Sequence, residues 1–233
     1  MVFWLIRGIA WVVLRVGFFI FGGIRFEGRE NVPATGGVLI TPIHISDYDP
    51  LAVGLALPRP CWTMAKSEIF TWPVLGTLAR WMHGFPVKRG SPDRTALRRA
   101  AQLLKHGNVV VIFPEGQTSK TGRLQPLHPG ALFAAHLADV PIVPTLIIGT
   151  NNLAPPGTRF PRFVRQPIVV RFGRPVPIDQ LTGGKKGGEA LKEGAERLGV
   201  ILAAMKCGES ETNTAPAYPT ARVASLDRPT NDR

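Results

Sequence analysis

Two apolar runs, Val109-Val110-Val111-Ile112-Phe113 and Ile142-Val143-Pro144-Thr145-Leu146-Ile147-Ile148, constrain this chain more than any other feature. Neither alternates polar with apolar residues. Each therefore reads as a strand buried on both faces, as parallel strands are when helices cover the sheet. Val38-Leu39-Ile40 and Ile168-Val169-Val170-Arg171-Phe172 read as two further strands. Helical patterns lie between them. Ser91-Pro92-Asp93 offers an N-cap, a proline at the first position and an early acid. That helix continues through Leu97, Ala101 and Leu104 and ends at His106-Gly107. Ala131 to Leu137 predicts a second helix, and Glu189 to Met205 a third with apolar positions at 191, 195, 198, 202 and 205. The expected fold is α/β: a single, mostly parallel central sheet flanked by helices.

Residues Met1 to Ile24 are almost wholly apolar, interrupted by Arg7 and Arg15 and free of acids. As one helix they would run about 36 Å, enough for a hydrocarbon core of about 30 Å. Arg15 would then stand inside the bilayer, at about 2.5–3.5 kcal/mol on insertion scales. A core helix is disfavoured by the arginines and by Phe3, Trp4, Trp11, Phe18, Phe19 and Phe21. Those residues suit a segment lying in the interface, broken near Gly17 or Gly22-Gly23. The expectation is a monotopic or peripheral anchor on the cytoplasmic side of the cell membrane. Short apolar runs without a small-residue cleavage site argue against a cleaved signal peptide. Cys61 and Cys207 are too few for a disulfide framework or a zinc site, so no metal and a reducing compartment are expected. Three parts result: an anchor over 1–24, an α/β domain over 25–207 and a polar, aperiodic tail over 208–233 expected to be disordered.

The chain carries 28 Lys+Arg against 16 Asp+Glu, a formal charge of +12. Such a field favours nucleic acid, an anionic membrane surface or phosphorylated substrates. Between Arg80 and Arg123 the cations far outnumber Asp93 and Glu115, which suits a phosphate site. Arg159-Phe160-Pro161-Arg162-Phe163-Val164-Arg165 interleaves cations with aromatics, as single-strand binders do and as anionic lipid interfaces do. Beside an apolar N-terminus the lipid reading is the simpler. A basic nucleic-acid-binding protein stands as the alternative from another class, and nucleic acid is the least expected partner.

In this architecture sites form at the carboxyl ends of strands. After the first strand comes Ile43-His44-Ile45-Ser46-Asp47-Tyr48-Asp49. His44 and Asp49, five apart, can meet across a turn or an opening helix. The carboxylate would fix the imidazole tautomer and support the charge gained when the other nitrogen takes a proton. Lys88-Arg89 follows an extended piece at Phe85-Pro86 and offers two cations to a phosphate, or forms a solvated turn. The strand ending at Phe113 runs into Pro114-Glu115-Gly116-Gln117-Thr118-Ser119-Lys120, with Arg123 beyond. Glycine permits close backbone approach, and Glu115 can position a ligand hydroxyl or orient a cation; a polar turn would look the same. No serine sits in a nucleophile elbow and no P-loop is present. The base is therefore expected to activate the substrate's own hydroxyl.

The order His-x4-Asp, a phenylalanine-to-arginine block, Phe-Pro-Glu-Gly and Val-Pro-Ile-Val-Pro resembles the glycerolipid acyltransferases, specifically the 1-acylglycerol-3-phosphate acyltransferases, over about residues 25–175. The resemblance implies transfer of an acyl group from a thioester of coenzyme A or acyl carrier protein, as co-substrate, with no cofactor. The acceptor would be the free sn-2 hydroxyl of a lysophospholipid. His44 would be the general base and Asp49 its partner. Lys66 and Arg89 match cations used around the acceptor phosphate, and Glu115 and Gly116 match a block assigned to acceptor binding. Val140 to Pro144 matches a block for packing or donor contact. Where the family often has Glu-Gly-Thr-Arg-Ser this chain has Glu115-Gly116-Gln117-Thr118-Ser119, so Lys120 or Arg123 would supply the missing charge. His128 likewise stands where a lysine is common. Both departures bear on the acceptor, for which glycerol 3-phosphate or another lysophospholipid is the alternative, rather than on the reaction.

Overall fold

The valine- and isoleucine-rich runs form the middle of one sheet in a computed structural model that describes residues 2–72, 76–77, 79–80, 83–87, 93–155, 158 and 160–207, the side chains of 2–7, 9, 10 and 207 excepted. The expected tail over 208–233, Arg89, and Ser91-Pro92 all lie outside the described residues. The chain opens with helix α1 (Val2–Ile20) and strand β1 (Ile24–Glu27). Then come β2 (Val38–Pro42), α2 (Asp49–Ala56), β3 (Cys61–Lys66), β4 (Gly84–Val87), α3 (Arg94–Lys105) and β5 (Val109–Val111). The second half holds α4 (Gly130–Ala138), β6 (Ile142–Ile148), α5 (Thr150–Leu153), β7 (Ile168–Phe172), α6 (Ile178–Thr182) and α7 (Gly188–Cys207).

Among the described residues seven strands make one sheet in the order β1-β7-β6-β2-β5-β3-β4. Pairing is parallel everywhere except between β6 and β7. Val38, Leu39, Ile40, Val109 and Val110 are wholly buried, as expected of central strands that lack alternation. β6, β2, β5, β3 and β4 run the same way, so Ile43, the end of β3 and the segment after Val111 open on one edge. The reversal at β6 and β7 pairs Ile148 with Val169 and Ile24 with Ile168. The start of β1, and hence the end of α1, therefore lies at that same edge.

α3 presents Ala96, Ala100, Ala101 and Leu104 inward at helical spacing. Its cap is Asp93, whose Oδ1 accepts from the Ala96 N–H at 3.0 Å, so the helix starts two residues later than Ser91 would have it. Because α3 runs back from the carboxyl edge, its exposed Arg98, Arg99 and Lys105 are carried away from that edge. Much of the basic excess between Arg80 and Arg123 therefore coats a helix. α1 runs unbroken through Gly17, and the chain turns instead at Gly22 and Gly23, both at positive φ. Phe18 is buried and Trp11, Leu14 and Phe21 pack on the core, while Val12, Val13, Val16, Phe19 and Ile20 stay exposed. No helix among the described residues is long and apolar enough to cross a membrane.

Candidate active site

β2 ends at Pro42, and the chain reaches its carboxyl edge at His44. Asp49 opens α2, and the turn between them folds onto its carboxylate. Oδ2 accepts from His44 Nδ1 at 3.0 Å, from Ile45 N–H at 2.6 Å and from Ser46 N–H at 2.8 Å. Oδ1 accepts from the Thr150 hydroxyl at the start of α5. Asp49 and Thr150 are both wholly buried. With four donors converging on it, the carboxylate is fixed, and it fixes His44 in turn. The Nδ1 proton is committed to Asp49, which leaves the lone pair on Nε2. Phe113 lies against the imidazole with ring centroids 4.3 Å apart and planes 33° apart. His44 itself is only 5% exposed, so its imidazole sits almost wholly inside the fold.

The loop after β5 wraps the backbone of the same histidine. Glu115 Oε1 accepts from His44 N–H at 2.7 Å, and Oε2 accepts from Gln125 N–H at 2.9 Å. Ser119 N–H donates to His44 C=O at 2.7 Å. Both backbone groups of His44 are thus held by one loop, and Thr118 is caught between the two rungs. Its Oγ1 lies 3.2 Å from His44 Nε2 and 3.0 Å from Asp47 Oδ1. Gly116 makes the turn at φ +71°, where an added Cβ would lie 3.1 Å from His128 Cδ2. Burial pushes the Glu115 carboxyl up, and the N–H groups of His44 and Gln125 oppose that shift.

Glu115 thus braces two backbones with both oxygens and makes its contribution through His44 and Gln125. A Glu115→Gln variant tests the brace. An amide can accept from only one of the two N–H groups and turns its own NH₂ against the other. The expected cost is about 1–3 kcal/mol of stability, the penalty for a buried donor left unmet. Because the folded carboxyl titrates above its unfolded range, Glu115 favours folding on the acid side. That contribution fades as pH rises through the elevated value, and the variant should lack this slope. Chemical denaturation of both proteins across pH 4 to 8 reads both effects; identical midpoints throughout would refute the brace.

The sequence-predicted cations are less tightly gathered. Lys66 ends β3, two strands from β2, with its Nζ 3.3 Å from Glu68 Oε1. Glu68 is exposed and Lys66 partly so, so that pair is screened by salt and Lys66 can exchange Glu68 for an anion. Lys120 and Arg123 are exposed on the loop that holds His44, and the Arg123 carbonyl accepts from the buried Ser119 hydroxyl at 2.7 Å. Arg89 lies outside the described residues. Val140 to Pro144 leads into and forms the start of β6, where Ile142 and Val143 are wholly buried. Thr150 and Thr118 are partners of the pair that the His-x4-Asp spacing does not reveal. Thr150 had a usable signal, since it follows Gly149 at the end of an apolar strand. Thr118 and Asp47 had none, because the contact spans 71 residues. No group of three or more His, Cys, Asp or Glu side chains gathers around a potential metal position among the described residues.

The fold and the sequence both have known counterparts. The crystal structure of a 1-acyl-sn-glycerophosphate acyltransferase from Thermotoga maritima superposes with a TM-score of 0.66 at 24% identity, covering 88% of this chain and 82% of that one. A 1-acyl-sn-glycerol-3-phosphate acyltransferase of Bacillus subtilis is 33% identical over 132 residues, 56% of this chain and 65% of that protein. The human 1-acyl-sn-glycerol-3-phosphate acyltransferase alpha is 32% identical over 166 residues, 69% of this chain and 58% of that protein. The chain thus spans 65% and 58% of the length of these two relatives, less than two thirds of either. The model of the family described as Acyltransferase matches residues 23–148, from the first strand to the end of β6, and so covers His44, Asp49 and the Glu115–Ser119 loop, stopping just short of Thr150. By that match, over half its length, the chain belongs to the acyltransferase family.

Proposed function

We propose that this protein is an O-acyltransferase that moves a fatty acyl group from a thioester of coenzyme A or acyl carrier protein to the sn-2 hydroxyl of 1-acylglycerol 3-phosphate. The carrying observation is the His44–Asp49 pair at the carboxyl edge of the sheet, with Nδ1 locked by a buried carboxylate and the Nε2 lone pair left over for a proton. His44 Nε2 takes the proton of the acceptor hydroxyl as its oxygen attacks the thioester carbonyl carbon. The tetrahedral oxyanion collapses, the C–S bond breaks, and the imidazolium returns its proton to the departing thiolate. A thiolate leaves readily, so no acyl-enzyme and no resident cofactor enter the scheme. Lys66, Lys120, Arg123 and Arg89 are the cations offered to the acceptor phosphate. Incubation of purified protein with a panel of acyl thioesters and lysolipids tests this, with phosphatidic acid as the product sought. Faster acylation of glycerol 3-phosphate or another lysophospholipid would move the activity to that acceptor, the reading that the neutral Thr118 favours. No acyl product from any of them would end the enzymatic reading.

The same reading includes a bilayer with anionic headgroups, met from the cytoplasmic side by a monotopic or peripheral contact. Its support is the apolar stripe of α1 together with Phe160 and Phe163, which are 80% and 72% exposed. The segment carrying these phenylalanines is tied to the end of α1, where Val164 N–H donates to Phe21 C=O at 3.1 Å. Exposed Arg15, Arg162 and Arg165 border the apolar residues with the sign anionic lipid needs. Burying one phenylalanine contributes about 1.5–3 kcal/mol, so Phe160→Ala with Phe163→Ala should weaken partitioning by well over tenfold. Co-flotation with phosphatidylglycerol-containing vesicles measures it. Undiminished binding by the double variant would remove this loop from the contact. Retention on DNA instead, in a salt-sensitive manner, would favour the nucleic-acid alternative.

A further inference from the structure

Thr118 stands at the nitrogen where the acceptor hydroxyl must arrive. Its Oγ1 is 3.2 Å from His44 Nε2 and 3.0 Å from Asp47 Oδ1, and it carries one proton for two acceptors. With Nδ1–H given to Asp49, the Nε2 lone pair can receive that proton, and so can the Asp47 carboxylate. The hydroxyl is held there by the backbone. Glu115 grips the N–H of His44 three residues before it, and Ser119 N–H grips the C=O of His44 one residue after it. Thr118 therefore cannot drift from the imidazole without breaking the loop that positions the base.

We propose that Thr118 guards the base: until an acceptor binds, its hydroxyl occupies Nε2 of His44 and keeps water from being activated against the thioester. This rests on the reading of His44 as general base. An acceptor brings binding energy from its phosphate and acyl chain, and spends part of it to take over Nε2. Thr118 then turns its proton to Asp47 and loses no hydrogen bond, so the exchange is cheap for the correct substrate. Water brings no such binding energy and meets a tethered competitor already in place. In the reaction so prevented, a water oxygen would attack the carbonyl carbon and His44 would take its proton. The C–S bond would break and the thiolate would be reprotonated, yielding free fatty acid and thiol.

The test compares acyl-thioester hydrolysis without acceptor and acyl transfer with acceptor in the full-length protein. Thr118→Ala should raise acceptor-independent hydrolysis about fivefold to tenfold, the weight of one ordinary hydrogen bond. Thr118→Ser should restore the wild-type value, and His44→Ala combined with Thr118→Ala should abolish the rise. Asp47→Ala, at an exposed position, acts in the opposite sense. It leaves the Thr118 proton only Nε2 to bind, so the acceptor KM should rise several-fold without added hydrolysis. Unchanged hydrolysis in a Thr118→Ala protein that still transfers acyl groups would overturn the guard alone. Absence of transfer in the wild type would overturn the guard together with the general base it rests on.

Discussion

His44→Ala should lower acyl transfer by at least the roughly 10²–10⁴-fold that a positioned general base supplies. The loss falls on turnover more than on folding. The rungs that fasten this residue run through its backbone N–H and C=O, which alanine retains. What disappears is the ring, with its contact to Phe113 and its bond to Asp49. The variant should therefore keep its circular dichroism spectrum and vesicle binding while product formation drops toward background. Turnover within tenfold of wild type, in protein free of contaminating acyltransferase, would sink the assignment of the base.

Asp49 allows a sharper separation of charge from architecture. In Asp49→Asn the amide oxygen can take the place of Oδ2 and keep the bonds from His44 Nδ1, Ile45 N–H and Ser46 N–H. The NH₂ then faces the Thr150 hydroxyl, which can accept as readily as it donates. Fold and tautomer survive, and only the negative charge opposite the forming imidazolium is lost. Leaving a buried charge without its partner costs about 3–5 kcal/mol, so the rate should fall by about 10²–10⁴-fold with little change in melting temperature. Asp49→Ala removes every acceptor and strands two backbone N–H groups. It should cost several kcal/mol of stability as well, at about 1–3 kcal/mol per unmet donor. Wild-type turnover in the asparagine variant would reduce Asp49 to a purely structural brace for the turn.

The strand-end rule read His44, Asp49 and Glu115 correctly as belonging to one edge, because central parallel strands announce themselves by unbroken apolar runs. β1, β3 and β4 carry no such signature. Cys61 to Lys66 is only partly buried and ends in a lysine, and Gly84 to Val87 contains a proline on an edge strand. Their place comes from the pairing of β1 with β7, of β3 with β5 and of β4 with β3, which no local pattern encodes. The same limit hid what Glu115 does. In sequence Glu115 is a carboxylate after a buried strand, and only the fold shows that both its oxygens meet backbone N–H groups, one of them 71 residues away. Side-chain chemistry is legible in sequence; a partner's identity across the fold is not.

Under the proposed function, the antiparallel pairing of β6 with β7 bears on the route a lipid substrate would take. It returns the chain so that the end of α1, the Phe160–Phe163 segment and the His44–Asp49 pair lie at one edge of the sheet. On a bilayer, the lysolipid would then reach the base by lateral diffusion without leaving the surface. Rates would follow its mole fraction in the membrane rather than its bulk concentration. Diluting the acceptor with inert lipid, at constant total amount, should slow the reaction in proportion.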